Sequence, residues 1–240
     1  MAKKIIIYCF ISLLFAGLFY LLTSNLYLAI GIFAIYSMFF ILYVVKKTKL
    51  YLLIIDNTKE CVNFINNFII TISINNSVST TFDSLSGGFS VELVEQINAI
   101  NQLNDEEKVM YLNNYFRSPL YVAFTKLLKQ YLYEGGNILD SSHLLIFDSH
   151  IVEENLNNYL SVSRKKIFEF CLMWGICFVI LTVMKIFLGD YYKQMVKMSF
   201  FAISIFGFFI VFLFCFYLLL KHVFDLRFIN EELKNEKIKK

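Results

Sequence analysis

Proline occurs once in these 240 residues and glycine only nine times, too few for a collagen-like chain or a Pro/Gly-rich low-complexity one. Five cysteines in a chain of this length are too few for a disulfide scaffold. Charge is scarce as well: 17% of the residues are charged, against about 25% in an ordinary soluble domain. Disorder is excluded by what fills the space, because 58% of the chain is hydrophobic and 18% aromatic, with 27 Phe and 15 Tyr. Mean hydropathy is +0.61. The net charge of +3 is small for this length and points to no nucleic-acid partner. These proportions are those of a membrane protein, with lipid as its first partner.

Ile5 to Val45 carries no charge at all, about twice the length that crosses a hydrocarbon core. Thr23-Ser24-Asn25 divides the run, predicting two spans, Ile5 to Leu22 and Leu26 to Val45, in a tight hairpin. A signal peptide behind Lys3 and Lys4 fits less well, since the apolar stretch is too long and leads straight into a second span. Ser199 to Leu220 is a further uncharged span. Ile167 to Leu188 is the fourth, with Glu169 and Lys185 near its ends, where Lys185 is expected to snorkel to the interface. Gly189 to Met198 is expected to be the loop between these last two.

Basic residues flank the spans unevenly. Lys3, Lys4, Lys46, Lys47, Lys49, Arg164, Lys165, Lys166, Lys221 and Arg227 fall on one side, whereas the other carries only Lys193 and Lys197 against Asp190. The Lys/Arg bias therefore predicts that both termini and the long middle region are cytoplasmic. The expected fold class is an all-α integral membrane protein with two transmembrane hairpins flanking a cytoplasmic helical bundle. Its divisions are an N-terminal hairpin over 1–46, the bundle over 47–166, a C-terminal hairpin over 167–220 and a charged tail over 221–240.

The middle region has helical periodicity without sustained strand alternation. Behind Asp56-Asn57-Thr58, apolar residues recur at Val62, Ile65, Phe68, Ile69 and Ile72, a core-facing helix closed by a turn at Asn75-Asn76. A short helix follows over Val78 to Leu85, and Ser90 caps another, with Leu93, Val94, Ile97 and Ile100 inward. Asn104 with Glu107 has capping-box spacing for a helix running to Arg117. Ser118 and Pro119 open the next helix, Leu120 to Tyr133, which Gly135 is placed to end in a left-handed conformation. Asn137 can cap a last helix whose apolar residues Leu144, Phe147, Ile151, Leu156, Tyr159 and Leu160 continue toward the third span. From Leu50 to Ser163 thirteen acidic residues stand against five basic ones, a difference of −8. An acidic face repels nucleic acid and suits a solvated bundle or docking onto a basic protein.

No motif of catalysis or cofactor binding emerges. There is no P-loop, GxGxxG, nucleophile elbow or HExxH. Gly87-Gly88 and Gly135-Gly136 lack the Lys-Ser/Thr that a phosphate loop requires. His143 and His150 share a helical face but stand two turns apart, farther than two ligands of one ion. Acidic neighbours leave a metal site conceivable; a solvated face is the simpler reading. Glu106 and Glu107 read as helix-start carboxylates. Cys9, Cys171, Cys177 and Cys215 fall in spans and Cys61 in the bundle, none with Cys-x-x-Cys spacing.

The order of parts, together with Pro119-Leu120, Phe124 and the stretch Glu134-Gly135-Gly136-Asn137-Ile138-Leu139, resembles the TadB/TadC branch of the type II secretion F-domain (GspF) family. Ile74-Asn75-Asn76-Ser77-Val78-Ser79 is similar to that family's small-residue turn, with Asn in place of the expected Gly. The resemblance implies a non-enzymatic inner-membrane platform protein of tight-adherence or other type IV pilus-like machines, with no cofactor. Its implied partners are a cytoplasmic hexameric assembly ATPase, pilin or pseudopilin subunits, and a paralogous platform protein or a second copy. Exposed acids at helix ends, Glu106, Glu107, Glu134 and Asp140, are the candidates for partner contact. The rival is a membrane subunit of a transporter or permease, which requires polar residues lining a path through the spans.

Overall fold

A computed structural model describes residues 2–85, 88–100, 102–116, 118–135 and 138–225. Among them the chain is helical almost throughout, and no strand occurs. The helices are α1 (Ala2–Thr23), α2 (Leu26–Phe39), α3 (Lys46–Asn75), α4 (Val78–Ser84), α5 (Val91–Ala99), α6 (Asp105–Tyr111), α7 (Asn113–Phe116), α8 (Pro119–Glu134), α9 (Ile138–Lys197) and α10 (Ser199–Val223). A π-helical turn, Phe40–Val45, joins α2 to α3. Four helices are long and apolar enough to cross a membrane, in the stretches Ile5–Thr23, Leu26–Asn75, Ser141–Lys197 and Phe200–Val223. The described residues divide into an apolar unit, built from residues up to Tyr51 and from Ser161 to Asp225, and a middle unit over Leu52–Leu160. Helices α3 and α9 have residues in both.

In the apolar unit the α1–α2 turn follows from three polar residues. Ser24 takes a positive φ of 52°, the Ser24 N–H donates to Tyr20 O at 2.8 Å, and Asn25 Oδ1 accepts from the Leu28 N–H at 3.3 Å, capping α2. Behind the turn the unit is filled by rings. Phe15 lies 5.1 Å from both Tyr36 and Phe212 and 5.9 Å from Phe178. Phe19 meets Phe209 edge-on at 5.4 Å. Trp174 packs 5.0 Å from Phe212 and 5.2 Å from Phe208. Such pairs contribute about 0.5–1.5 kcal/mol each beyond their buried area. They also set where the helices meet.

The middle unit has an ordinary hydrophobic core. From α3, Val62, Phe64, Ile65, Phe68, Ile69 and Ile72 are all buried, one stripe at helical spacing. Phe64 touches the rings of Phe68, Phe82, Phe89, Phe116, Tyr121 and Phe124 within 5.4 to 6.3 Å. Leu93, Ile97 and Ile100 close one side and Leu120, Phe124 and Leu128 another. Val94 is only half-buried.

Several elements differ from the sequence expectation. The helix holding Val62 to Ile72 starts ahead of Asp56, because Thr58 Oγ1 turns back to Ile54 O at 2.8 Å and Asn57 spends its amide on Tyr115. The helix opened by Asn104 ends at Tyr111 rather than at 117, since Leu112, its C-cap, and Phe116, on the short α7, are both drawn into the core. The expected loop after Gly189 is helical through Lys197, with a kink at Gly189 (φ 42°, ψ −104°), and the break falls at Met198. On α9, Leu144, Phe147 and Ile151 point outward, while Leu145 and Leu156 are buried. Gly135 has a positive φ of 69° but a ψ of −158°, outside the left-handed helical well.

Candidate functional site

The candidate acids of the middle unit cluster around the start of α6 and the end of α8. Asn104 caps α6, and its own N–H donates to Glu107 Oε2 at 3.4 Å, so Glu107 is occupied as the return half of a capping box. Glu106, one position earlier and half-buried, accepts from the Tyr133 hydroxyl. That bond, and the carboxylate charge behind it, push the Tyr133 phenol up. Glu134 is exposed and accepts from Gln130 Nε2 at 2.8 Å, one helical turn back. The fold thus brings Glu106 against the residue preceding Glu134 and leaves Glu107 locked in its cap. Pro119 is the first residue of α8, and Gly135 follows its last. Gly136, Asn137 and the side chain of Asp140 lie outside the described residues.

Sequence reasoning missed the most connected carboxylate. Glu60, on α3, accepts from the Ser90 N–H through Oε1 at 2.9 Å and from the Tyr115 hydroxyl through Oε2 at 3.0 Å. Asn57 Nδ2 donates to Tyr115 O at 3.3 Å, and Ser90 Oγ accepts from the Leu93 N–H at 3.1 Å. Three helices, α3, α5 and α7, are tied together through one side chain. Burial raises the Tyr115 phenol, and Glu60 pushes the same way while a bond with Ser90 opposes it. The available signal was Asn57 and Glu60 three apart on a helix otherwise apolar on that side. Lys108 was missed too: it is 3% exposed, with its ammonium donating to Ser79 Oγ at 3.2 Å. Burial pushes the Cys61 thiol up to about 12, so it stays protonated and unreactive.

In the apolar unit the polar groups complete helix ends. The Lys185 ammonium donates to the carbonyl of Leu21, and the buried Tyr192 hydroxyl donates to Leu22 O at 2.8 Å. With Ser24 on Tyr20 O, these supply the last turn of α1 with partners it cannot find within the helix. A cation there also opposes the negative end of the helix dipole. Lys185 is therefore a cap for α1. Deeper in the unit, the Tyr36 hydroxyl donates to Phe209 O at 2.8 Å and Ser12 meets Ser37 at 2.8 Å.

His143 and His150 both lie exposed on α9. Among the described residues no three His, Cys, Asp or Glu side chains converge as metal ligands do. All five cysteines are free. Comparison of the chain with protein families, curated proteins and solved structures finds no match.

Proposed function

We propose that this chain is a non-enzymatic platform in the cytoplasmic membrane, spanning it four times with both termini and the middle unit cytoplasmic. In this reading it couples a hexameric assembly ATPase to pilus-like filament assembly or protein secretion, as the resemblance to the TadB/TadC branch implies. The succession of parts carries the reading: two long apolar helices, a helical unit with its own core, then two more long apolar helices. The −8 charge difference of the middle region favours a basic partner surface, and Glu106, Glu107, Glu134 and Asp140 are the proposed contacts. The transporter reading is weaker because the apolar unit is packed with rings where a solute path needs polar groups.

The test is genetic and biochemical together. Deletion of the gene should abolish filament assembly or secretion. Paired reversal at Glu134 and Asp140 should do the same while leaving membrane-fraction yield unchanged. Glu107 is a poor choice for that pair, because its loss also removes a helix cap, at about 1 kcal/mol. The full chain in detergent should retain the ATPase at low salt and release it as salt rises. An intact filament and secretion phenotype in the deletion strain would defeat the proposal.

A further inference from the structure

One end of the apolar unit gathers positive charge beside exposed apolar side chains. Lys46, Lys47 and Lys49 open α3, Arg164, Lys165 and Lys166 lie on α9, and Lys221 and His222 lie near the end of α10; all are exposed. They share one end because the Tyr51 ring lies 5.3 Å from Phe224, the Tyr51 hydroxyl bonds with Ser163 beside Arg164, and Lys166 Nζ stands 3.1 Å from His222 Nε2. Among the described residues, seven Lys and Arg side chains stand there beside two carboxylates, Glu169 and Asp225. Glu169 is held by Lys165 at 3.9 Å.

Lys166 and His222 make the informative pair. The Lys166 ammonium rests against the His222 imidazole at 3.1 Å, which holds it in place at this end of the unit. An ammonium has three donors and gives one to the ring, so an anion beside the pair accepts from the others. Apolar surface continues along both helices from that point. On α9, Met173 lies seven residues on from Lys166 and is 52% exposed. On α10, Leu218 and Phe214 lie four and eight residues back from His222 and are 47% and 58% exposed. These spacings keep each stripe on the same helix face as Lys166 or His222. The two helices meet between them, with Phe170 5.7 Å from Phe216. A free phosphate would use only the polar groups. A phospholipid uses both parts.

We infer that Lys166 and His222 form a site for the phosphate headgroup of an anionic phospholipid, whose acyl chains lie along Met173, Leu218 and Phe214. The inference rests on the membrane reading above. Lys221, next to His222, and the neighbouring cations add long-range attraction to an anionic surface.

The full chain, purified in a neutral detergent, is incubated with phosphatidylglycerol, with phosphatidylcholine or with inorganic phosphate, and retained lipid is read by native mass spectrometry. Phosphatidylglycerol should be retained at least threefold more than phosphatidylcholine and should raise the melting temperature, whereas inorganic phosphate should not raise it. The double variant Lys166→Gln/His222→Gln should lose most of that preference, and Lys193→Gln, at the other end of the unit, should keep it. Equal retention of the two lipids, an unchanged preference in the double variant, or equal stabilisation by inorganic phosphate would each overturn the lipid site. Failure of the chain to enter the membrane fraction would instead overturn the reading beneath it.

Discussion

Gly135 offers a sharp test of local geometry. Its N–H is fixed to Tyr131 O at 2.9 Å, closing α8, and the backbone then leaves at φ 69°, ψ −158°. That region is essentially restricted to glycine and costs other residues about 1–3 kcal/mol. A Cβ at this position would meet nothing within 4 Å, so the penalty is one of backbone alone. Gly135→Ala and Gly135→Asn should therefore lose similar stability, because the Asn advantage belongs to the left-handed helical well, at ψ near +45°. Since about 1.4 kcal/mol is tenfold in an equilibrium, amide-exchange protection of core residues in α8, such as Phe124 and Leu128, should fall about fivefold to a hundredfold in both variants. The measurement is hydrogen exchange on the detergent-solubilised full chain. Protection within about twofold of the parent in Gly135→Asn, with a loss in Gly135→Ala, would refute the argument and restore the left-handed reading.

Lys185→Met keeps the side-chain length but leaves the Leu21 carbonyl without its partner, and should cost about 1–2 kcal/mol in denaturing-detergent titration. Lys193→Met, which removes only an exposed pair with Asp190, should cost almost nothing; equal midpoints would dismiss the capping role. Alkaline pH should destabilise the middle unit. Burial raises Cys61 from 9.0 to about 12 and Tyr121 well above 10.0, so stability is full below pH 9 and declines as pH rises toward 12. A Cys61→Ala/Tyr121→Phe variant should show a shallower fall in melting temperature over that window, and an unchanged slope would count against it. Lys108→Met should leave the unit as stable as before or more so in thermal unfolding, because a buried ammonium with a hydroxyl partner recovers little of its desolvation cost; a loss above about 2 kcal/mol would reveal a stronger partner.

What could be read from the sequence was local. The charge-free run with Thr23-Ser24-Asn25 in its middle gave the α1–α2 turn, and Asn104 with Glu107 gave a cap whose partners are three residues apart. The Glu60 network was hidden because its partners lie 30 and 55 residues away. Amphipathic periodicity finds a stripe without saying which way it faces, so Leu144, Phe147 and Ile151 could not be told from Leu145 and Leu156. The partner of Lys185 was hidden for a related reason. A lone lysine in an apolar run suggests an interface, but its partner is a backbone carbonyl 164 residues away. Of the four candidate acids, capping chemistry located Glu107; nothing local revealed Tyr133 against Glu106.

The cap on α1 also bears on the order in which the protein is made. The carbonyls of Leu21 and Leu22 receive partners from residues 185 and 192. At about 5–20 residues per second of synthesis, the first hairpin waits roughly 8 to 33 seconds for them. Until then its tip must be hydrated or held by a helper, so α1, made before α9, is finished only after it. A ribosome stalled before Tyr192 would leave a hairpin whose end is still wet.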